Sequence, residues 1–177
     1  MIITKIPVRD LIKHKLQRSV TLSINIEVLK SEVWDVISEP SHLEKFHPYC
    51  KKNDIIKWPG MGSKDRLTYL NMKDYIRDFI EWDEKNGFSL MIGQINSPKS
   101  YVRWELNEKN KNTIVKISIY PNLLTKWPKI ISYLPYKFYI EPKLKVYLKA
   151  VLEGLKHYVL SGKKIKRKDV PYHSWFC

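Results

Sequence analysis

Cysteine is scarce in this sequence: only Cys50 and Cys177 occur among 177 residues. Two cysteines exclude a disulfide framework, and their separation does not suggest a pair of metal ligands. Histidine is also sparse, and His42 and His47 lie five residues apart, off the i, i+4 spacing that places two ligands on one helix face. We therefore predict no metal site, and nothing in the sequence indicates a cofactor.

Long apolar runs and glycine-rich loops are missing as well. No stretch of about 18 apolar residues is present, which excludes a membrane-spanning helix, and the first residues do not resemble a secretory signal. The segment Gly60-Met61-Gly62-Ser63 is too short for a phosphate-binding loop and lacks its lysine-hydroxyl pair. We expect a cytoplasmic protein, with peripheral attachment to a membrane as an alternative.

Acidic residues are few, 18 against 32 basic ones, and the net charge is +14. Residues 121–177 hold twelve basic and three acidic side chains and so account for +9 of this charge. Such an imbalance favours an anionic partner, although a lysine-rich solvated surface would produce it equally. The basic run at residues 163–168 is not joined to a recognisable base-stacking platform, so we do not expect a nucleic acid as the partner.

Alternation of apolar and polar residues predicts a strand over residues 19–28. Ser31 is a suitable N-cap for a following helix that buries Val33, Trp34, Val36 and Ile37, and Pro40 precedes a second short helix. Further short alternating segments are separated by turn residues, which favours an antiparallel meander because parallel strands need long crossovers. These predicted strands cover residues 53–58, 64–70, 75–82, 88–95, 101–106 and 112–120.

A single long helix is predicted over residues 143–160, and Gly162 ends it. Its apolar residues fall at helical spacing on one face, namely Leu144, Leu148, Val151, Leu155 and Tyr158. The fold class is therefore α+β, with a curved antiparallel sheet wrapped around a long C-terminal helix. We divide the chain into an N-terminal arm (residues 1–18), one domain (residues 19–162) and a basic C-terminal tail (residues 163–177).

Eight segments carry a resemblance to a known family: Ser19-Val20-Thr21-Leu22-Ser23-Ile24, Val33-Trp34, Phe46-His47-Pro48, Ile80-Glu81-Trp82-Asp83, Gly87-Phe88, Trp104-Glu105-Leu106-Asn107, Thr113-Ile114-Val115 and Leu152-Glu153-Gly154-Leu155-Lys156. In this order and spacing they resemble the START-like proteins, also called the SRPBCC superfamily, which include the polyketide cyclase/dehydrase and lipid-transport group. The resemblance covers roughly residues 18–162 and implies the helix-grip fold. It also implies a cavity for a hydrophobic small molecule or lipid; the alternative is a cyclase/dehydratase-type enzyme acting on a polyketide-like or isoprenoid-like substrate.

The expected ligand site is the space between the sheet and the long helix. Inward-facing positions on the central strands and the apolar stripe of the helix would line it, as apolar residues line most small-molecule sites. The predicted lining residues are Leu67, Tyr69, Ile80, Trp82, Leu90, Ile92, Trp104, Val115, Ile117, Leu148, Val151 and Leu155.

Two carboxylates are the weak candidates for a catalytic role. Asp65 shares a strand face with inward-pointing apolar residues. Within residues 75–82 we prefer the face that holds Ile80 and Trp82, which places Asp78 inside. A buried aspartate must be neutral or paired, and so acts as a general acid or base, as a ligand anchor or as a paired core residue.

Residues 121–142 depart from the family pattern, because they are rich in aliphatic and aromatic side chains but interrupted by prolines and lysines. Three interpretations remain open: a lid over the cavity mouth, a segment lying in a membrane interface, or an additional piece of core. In the second, the lysines of residues 121–168 would face an anionic lipid surface.

Overall fold

A seven-stranded antiparallel sheet curves around one long helix, which confirms the predicted helix-grip α+β arrangement. The computed structural model describes residues 18–177, so the predicted arm lies outside the described residues except for Arg18. The strands are β1 (Val20–Ile26), β2 (Cys50–Lys57), β3 (Lys64–Tyr69), β4 (Asp74–Asp83), β5 (Gly87–Gly93), β6 (Ser100–Lys109) and β7 (Asn112–Tyr120). The helices are α1 (Lys30–Ile37), α2 (Leu43–Phe46), α3 (Lys129–Pro135) and α4 (Glu141–Ser161), with a π-helical turn (Tyr136–Ile140) joining α3 to α4.

The strand order is β1-β7-β6-β5-β4-β3-β2, so every neighbouring pair except β1 and β7 is also consecutive in the chain. Short turns make this meander possible, as the sequence predicted. In β1 only one face is turned inward, with Val20 and Ile26 buried and Thr21, Ser23 and Asn25 exposed. The inner face of the sheet therefore meets α4.

The long helix comes very close to α2, and Gly154 is the residue that permits it. A side-chain carbon at this position would lie 2.3 Å from the carbonyl oxygen of Phe46, so only glycine fits without a shift of the backbone. Gly162 ends the helix with a left-handed backbone (φ 68°), as predicted. The contact fixes one end of α4 against the short helices that follow β1.

One local prediction needs correction. Helix α1 begins at Lys30 rather than after Ser31, because the Glu32 carboxylate accepts a hydrogen bond from the Leu29 amide (3.0 Å) and satisfies the free end of the helix. The predicted division of the chain at residue 162 stays a prediction, but residues 163–177 pack against the domain. Their Val170, His173 and Phe176 side chains are buried against it. No helix within residues 18–177 is long and apolar enough to cross a membrane.

The interior has two unlike halves. Near α1, an aromatic cluster fills the space between the sheet and the helices. Trp82 sits at its centre, with ring centroids 5.2–5.7 Å from its neighbours, in the offset and edge-to-face arrangements that aromatic pairs prefer. The members are Trp34, Trp58, Phe79, Trp82 and Phe88. The other half holds a cavity.

Candidate ligand cavity

The cavity has a volume of about 240 Å³ and lies between the inner face of the sheet and α4. This volume is just below the range of roughly 300–1,000 Å³ that is typical of ligand sites, so it suits a small ligand. Buried apolar side chains of β3, β5, β6, β7 and α4 form most of its wall. Exposed residues at one end, among them Gln94, Ser97 and Leu123, form a mouth that opens to solvent.

Eight of the twelve residues predicted to bind ligand line this cavity, and four lie elsewhere. Those at the wall are Leu67, Tyr69, Leu90, Ile92, Trp104, Ile117, Leu148 and Val151. Of the others, Trp82 belongs to the aromatic cluster, Val115 and Leu155 are core residues with no exposed surface, and Ile80 is only half-buried. Whether the eight contact a ligand stays a prediction.

Asp65 and Arg77 form a buried ion pair at the inner end of the cavity. They face each other directly across the β3–β4 pair, and two hydrogen bonds join them, Arg77 Nε to Asp65 Oδ1 (2.8 Å) and Nη2 to Oδ2 (2.5 Å). Both side chains are almost fully buried, so each charge needs the other. Arg77 lines the cavity, whereas Asp65 lies behind it with both oxygens occupied.

His42 completes this group from behind. Its Nδ1 lies 2.9 Å from the Glu39 carbonyl oxygen and donates to it, while Nε2 faces Arg77 Nη2 at 3.4 Å and accepts. Burial and the nearby Arg77 charge hold the pKa of His42 well below its usual value. The imidazole is therefore neutral, with its proton on Nδ1.

The predicted inward orientation of Asp78 was wrong. This carboxylate lies on the outer face of β4, where Lys99 and Lys64 (3.1 Å) bind it and 28% of the side chain is exposed. The cause is a β-bulge: Phe79 pairs with Leu90 and Glu81 pairs with Ser89, which leaves one residue of β4 without a partner. Side chains of a regular strand alternate between its two faces, so residues an odd number of positions apart point to opposite sides. The bulge reverses this alternation, and Arg77 and Trp82 therefore both face inward although they are five positions apart.

A second group of polar side chains, linked in a row by hydrogen bonds, lies in the cavity wall. His47 follows α2, Tyr147 lies on α4 and Tyr69 lies on β3. His47 Nε2 lies 2.9 Å from the Tyr147 hydroxyl, which lies 3.1 Å from the Tyr69 hydroxyl. Burial, reinforced by the charge of Arg77, lowers the pKa of His47 well below its usual value, and burial raises the pKa of both tyrosines. All three groups are therefore neutral near pH 7.

Residues 163–177 supply the remaining part of the wall. Trp175 and Phe176 line the cavity, and the Phe176 ring stacks on Tyr69 with centroids 4.4 Å apart. Hydrogen bonds hold the segment in place: the Tyr49 hydroxyl donates to the Pro171 carbonyl (3.0 Å), and the Asn71 amide donates to the Trp175 carbonyl (2.7 Å). The sequence signal for this packing was the aromatic residues that follow the basic run.

Metal ligands are not gathered at this site: within the part of the chain that the structure describes, no three His, Cys, Asp or Glu side chains are placed to share an ion. The wall of the cavity is apolar apart from Arg77, His47 and the tyrosines at the inner end and several amide and hydroxyl groups near the mouth. This arrangement can enclose an apolar molecule and offer hydrogen bonds to one end of it.

Comparison with solved structures identifies the architecture. A START superfamily protein from Mycobacterium smegmatis superposes with a TM-score of 0.63 over 82% of this chain and 99% of that chain, at 13% sequence identity. The chain has the START-like fold. Ara h 8.0201 is similar at a TM-score of 0.58 and 14% identity, over 81% of this chain and 98% of that chain.

DynU16, from the dynemicin biosynthetic locus, shares the START-like fold at a TM-score of 0.62 and 13% identity, over 82% of this chain. The present chain spans about half of that protein, 48% of its length. Neither a family model nor a curated protein matches this sequence. The predicted resemblance to START-like proteins is thus confirmed by fold.

The buried ion pair generates a test by double substitution. Arg77→Met leaves the Asp65 charge buried without a partner and should lower the free energy of unfolding by about 3–5 kcal/mol. Adding Asp65→Leu removes that charge and should restore most of the loss. Urea denaturation followed by circular dichroism measures both. As a matched control, Lys64→Met, which removes a partner of the outer Asp78, should cost less than about 1 kcal/mol. Equal losses of unfolding free energy in Arg77→Met and Lys64→Met would contradict this account.

Three buried histidines, His42, His47 and His173, have pKa values lowered by burial and predict a pH dependence of stability. Because the folded protein holds His42 and His47 neutral, the unfolded chain binds more protons below about pH 6.5, and acid should destabilise the fold. Each histidine should reduce the free energy of unfolding by up to about 1.4 kcal/mol per pH unit below that value. Urea titrations between about pH 7 and pH 5.5 test this. His42→Gln should flatten the slope, whereas the exposed His157→Gln should not.

Proposed function

We propose that this protein binds an apolar small molecule in the cavity between the sheet and α4. The observation that supports this most directly is the unfilled space itself. Protein interiors are normally packed as densely as organic crystals, and unfilled space beside buried apolar side chains forfeits contacts. An apolar ligand would restore those contacts, and the mouth beside Leu123 gives it a route in.

A carrier accounts for the polar groups better than an enzyme does. Asp65 is paired with Arg77 through both oxygens and does not line the cavity, so it is not placed to exchange a proton with a ligand there. Asp78 faces away from the cavity and is bound by two lysines. The carboxylates proposed from sequence as catalytic groups are thus both engaged in ion pairs.

The exposed apolar segment (residues 123–139) begins at the cavity mouth, and we propose that it rests on an anionic lipid surface. Single exposed apolar residues are common, but here eight are clustered within 17 positions of the chain. Ile130 is 90% exposed and Phe138 is 75% exposed. The exposed Lys126 lies within the segment, and the basic excess of residues 121–168 suits negatively charged headgroups. Such docking would present the mouth to the bilayer.

Filling the cavity should abolish binding. Leu148→Phe places a larger ring at the cavity wall and should weaken binding of a neutral apolar fluorophore, N-phenylnaphthylamine, by about tenfold or more, since the ligand and the ring compete for one space. Fluorescence titration measures the dissociation constant. Val146→Phe is the matched control, because Val146 lies on the same helix but is 41% exposed, and it should bind as the wild type does. If the wild-type protein binds no apolar probe, the proposed function is wrong.

Vesicle co-sedimentation tests the membrane proposal. Ile130→Ser with Phe138→Ser should reduce binding to phosphatidylserine vesicles by about tenfold or more, because each apolar side chain that is buried contributes roughly 1.5–3 kcal/mol. The exposed Met61→Ser, in the turn before β3, serves as the control. Binding should also weaken with salt, which screens exposed charges beyond about 8 Å at physiological ionic strength.

The exposed apolar segment could instead be covered by residues 1–17 of this chain, and vesicle binding distinguishes this alternative from lipid docking. Residues 1–17 precede Arg18 in the chain, and the Arg18 side chain donates to the Ser132 hydroxyl (3.0 Å) and lies over the Tyr136 ring. If those residues cover the segment, a variant lacking them should bind vesicles more tightly than the full chain. Equal binding by the full chain and the Ile130→Ser, Phe138→Ser variant would refute lipid docking.

A further inference from the structure

The hydrogen bonds at the inner end of the cavity have a fixed direction. The Tyr49 amide donates to His47 Nδ1 (3.2 Å), so this nitrogen carries no proton. The proton of the neutral ring is therefore on Nε2, which lies 2.9 Å from the Tyr147 hydroxyl oxygen and donates to it. A backbone amide that cannot reverse its role thus sets the direction of the His47–Tyr147 hydrogen bond, whereas either hydroxyl can be the donor between Tyr147 and Tyr69.

In the hydrogen-bonded row His47–Tyr147–Tyr69, one hydroxyl proton has no acceptor in the described part of the protein. Tyr147 and Tyr69 bring two hydroxyl protons, and the single contact between their oxygens (3.1 Å) uses one of them. His47 cannot take the other, because its Nε2 is already a donor. Neither hydroxyl has a further hydrogen-bond partner among residues 18–177, and both tyrosines line the cavity. One hydroxyl proton is therefore available to a ligand.

The rest of the inner end adds donors but no acceptor. The Arg77 guanidinium has only N–H groups, and both oxygens of Asp65 are taken by it. The charges of Asp65 and Arg77 cancel, and the two histidines and the two tyrosines are neutral. The Lys164 ammonium also acts on His47, but it is exposed to solvent and donates to the Cys50 carbonyl oxygen. A negatively charged ligand group would thus be buried without a net counter-charge, which is costly. A neutral acceptor fits this end better than an anion or a pure hydrocarbon.

We propose that the natural ligand carries a neutral carbonyl oxygen, of the ketone or ester type, that accepts the free hydroxyl proton of the Tyr69–Tyr147 pair. The apolar body of the ligand then occupies the cavity toward the mouth. This inference rests on the proposed function and adds the chemical class of the ligand to it. The ligand is held by a neutral hydrogen bond at its inner end rather than by an ion pair.

Three probes with a common ring separate the possibilities. Acetonaphthone has a neutral carbonyl, ethylnaphthalene has no polar atom, and naphthoate has a carboxylate in the same position. Their dissociation constants are measured by calorimetry or by quenching of Trp104 and Trp175, which line the cavity. If no probe binds, the proposed function fails. If ethylnaphthalene binds, that function stands and the carbonyl proposal is tested separately.

The decisive variant is Tyr69→Phe with Tyr147→Phe, which removes both hydroxyls but keeps both rings. We expect its affinity for acetonaphthone to fall about three- to tenfold, the worth of one neutral hydrogen bond, while its affinity for ethylnaphthalene changes less than about twofold. Tyr172→Phe removes a hydroxyl from the exposed surface, outside the cavity wall, and should leave both affinities unchanged. Equal effects on the two probes, or naphthoate binding tightest, would overturn the proposal.

A second measurement does not depend on the stability of any variant. The carbonyl stretching band of isotope-labelled acetonaphthone, bound to the wild-type protein, should shift to lower frequency than in a hydrocarbon solvent, because a donated hydrogen bond weakens the carbonyl bond. The band should return toward its hydrocarbon position in the Tyr69→Phe, Tyr147→Phe variant if that variant folds. A bound ketone with an unshifted band in the wild type would refute the proposal by itself.

Discussion

The ion pair between Asp65 and Arg77 is the interaction on which the inner end of the cavity depends. Burial of either charge alone would be prohibitive, so the pair fixes the register of β3 against β4 and the face that each strand turns inward. It also places a cation beside His42 and over the Phe79 ring, 5.2 Å from its centroid. Burial lowers the pKa of His42, the Arg77 charge lowers it further, and the same guanidinium joins the cavity wall to the aromatic cluster.

The inner end of the cavity is the polar part of an otherwise largely apolar interior. A charged but internally neutralised group lies beside a chain of uncharged hydrogen-bonding side chains, and everything further out is apolar or amide and hydroxyl. The electrostatic character of the interior is therefore set by a few residues from β3, β4, α2 and α4, which approach one another only in the folded state. The architecture shared with other START-like structures supplies the enclosed space, and these residues give it a polarity of its own.

The fold was predictable from the sequence because its signals are local. Strand alternation, short turns and the apolar stripe of α4 each depend on residues close together in the chain. The cavity wall was predictable only where alternation held. The bulge in β4 reversed it and misdirected the prediction for Asp78, and no sequence pattern marks such a bulge. The Tyr49–His47–Tyr147–Tyr69 hydrogen bonds and the packing of Phe176 join segments that are distant in the sequence. The apolar pattern within one strand or helix therefore could not predict these contacts.

The division of the interior into a packed half and a hollow half has a consequence for the evolution of this protein. The residues of the aromatic cluster, such as Trp82 and Phe88, do not line the cavity. Substitutions at the cavity wall can change the shape of a space that already exists while the packing of the aromatic cluster stays intact. Substitutions in the cavity half of the interior can therefore change which molecules fit, while the packed aromatic half continues to stabilise the fold.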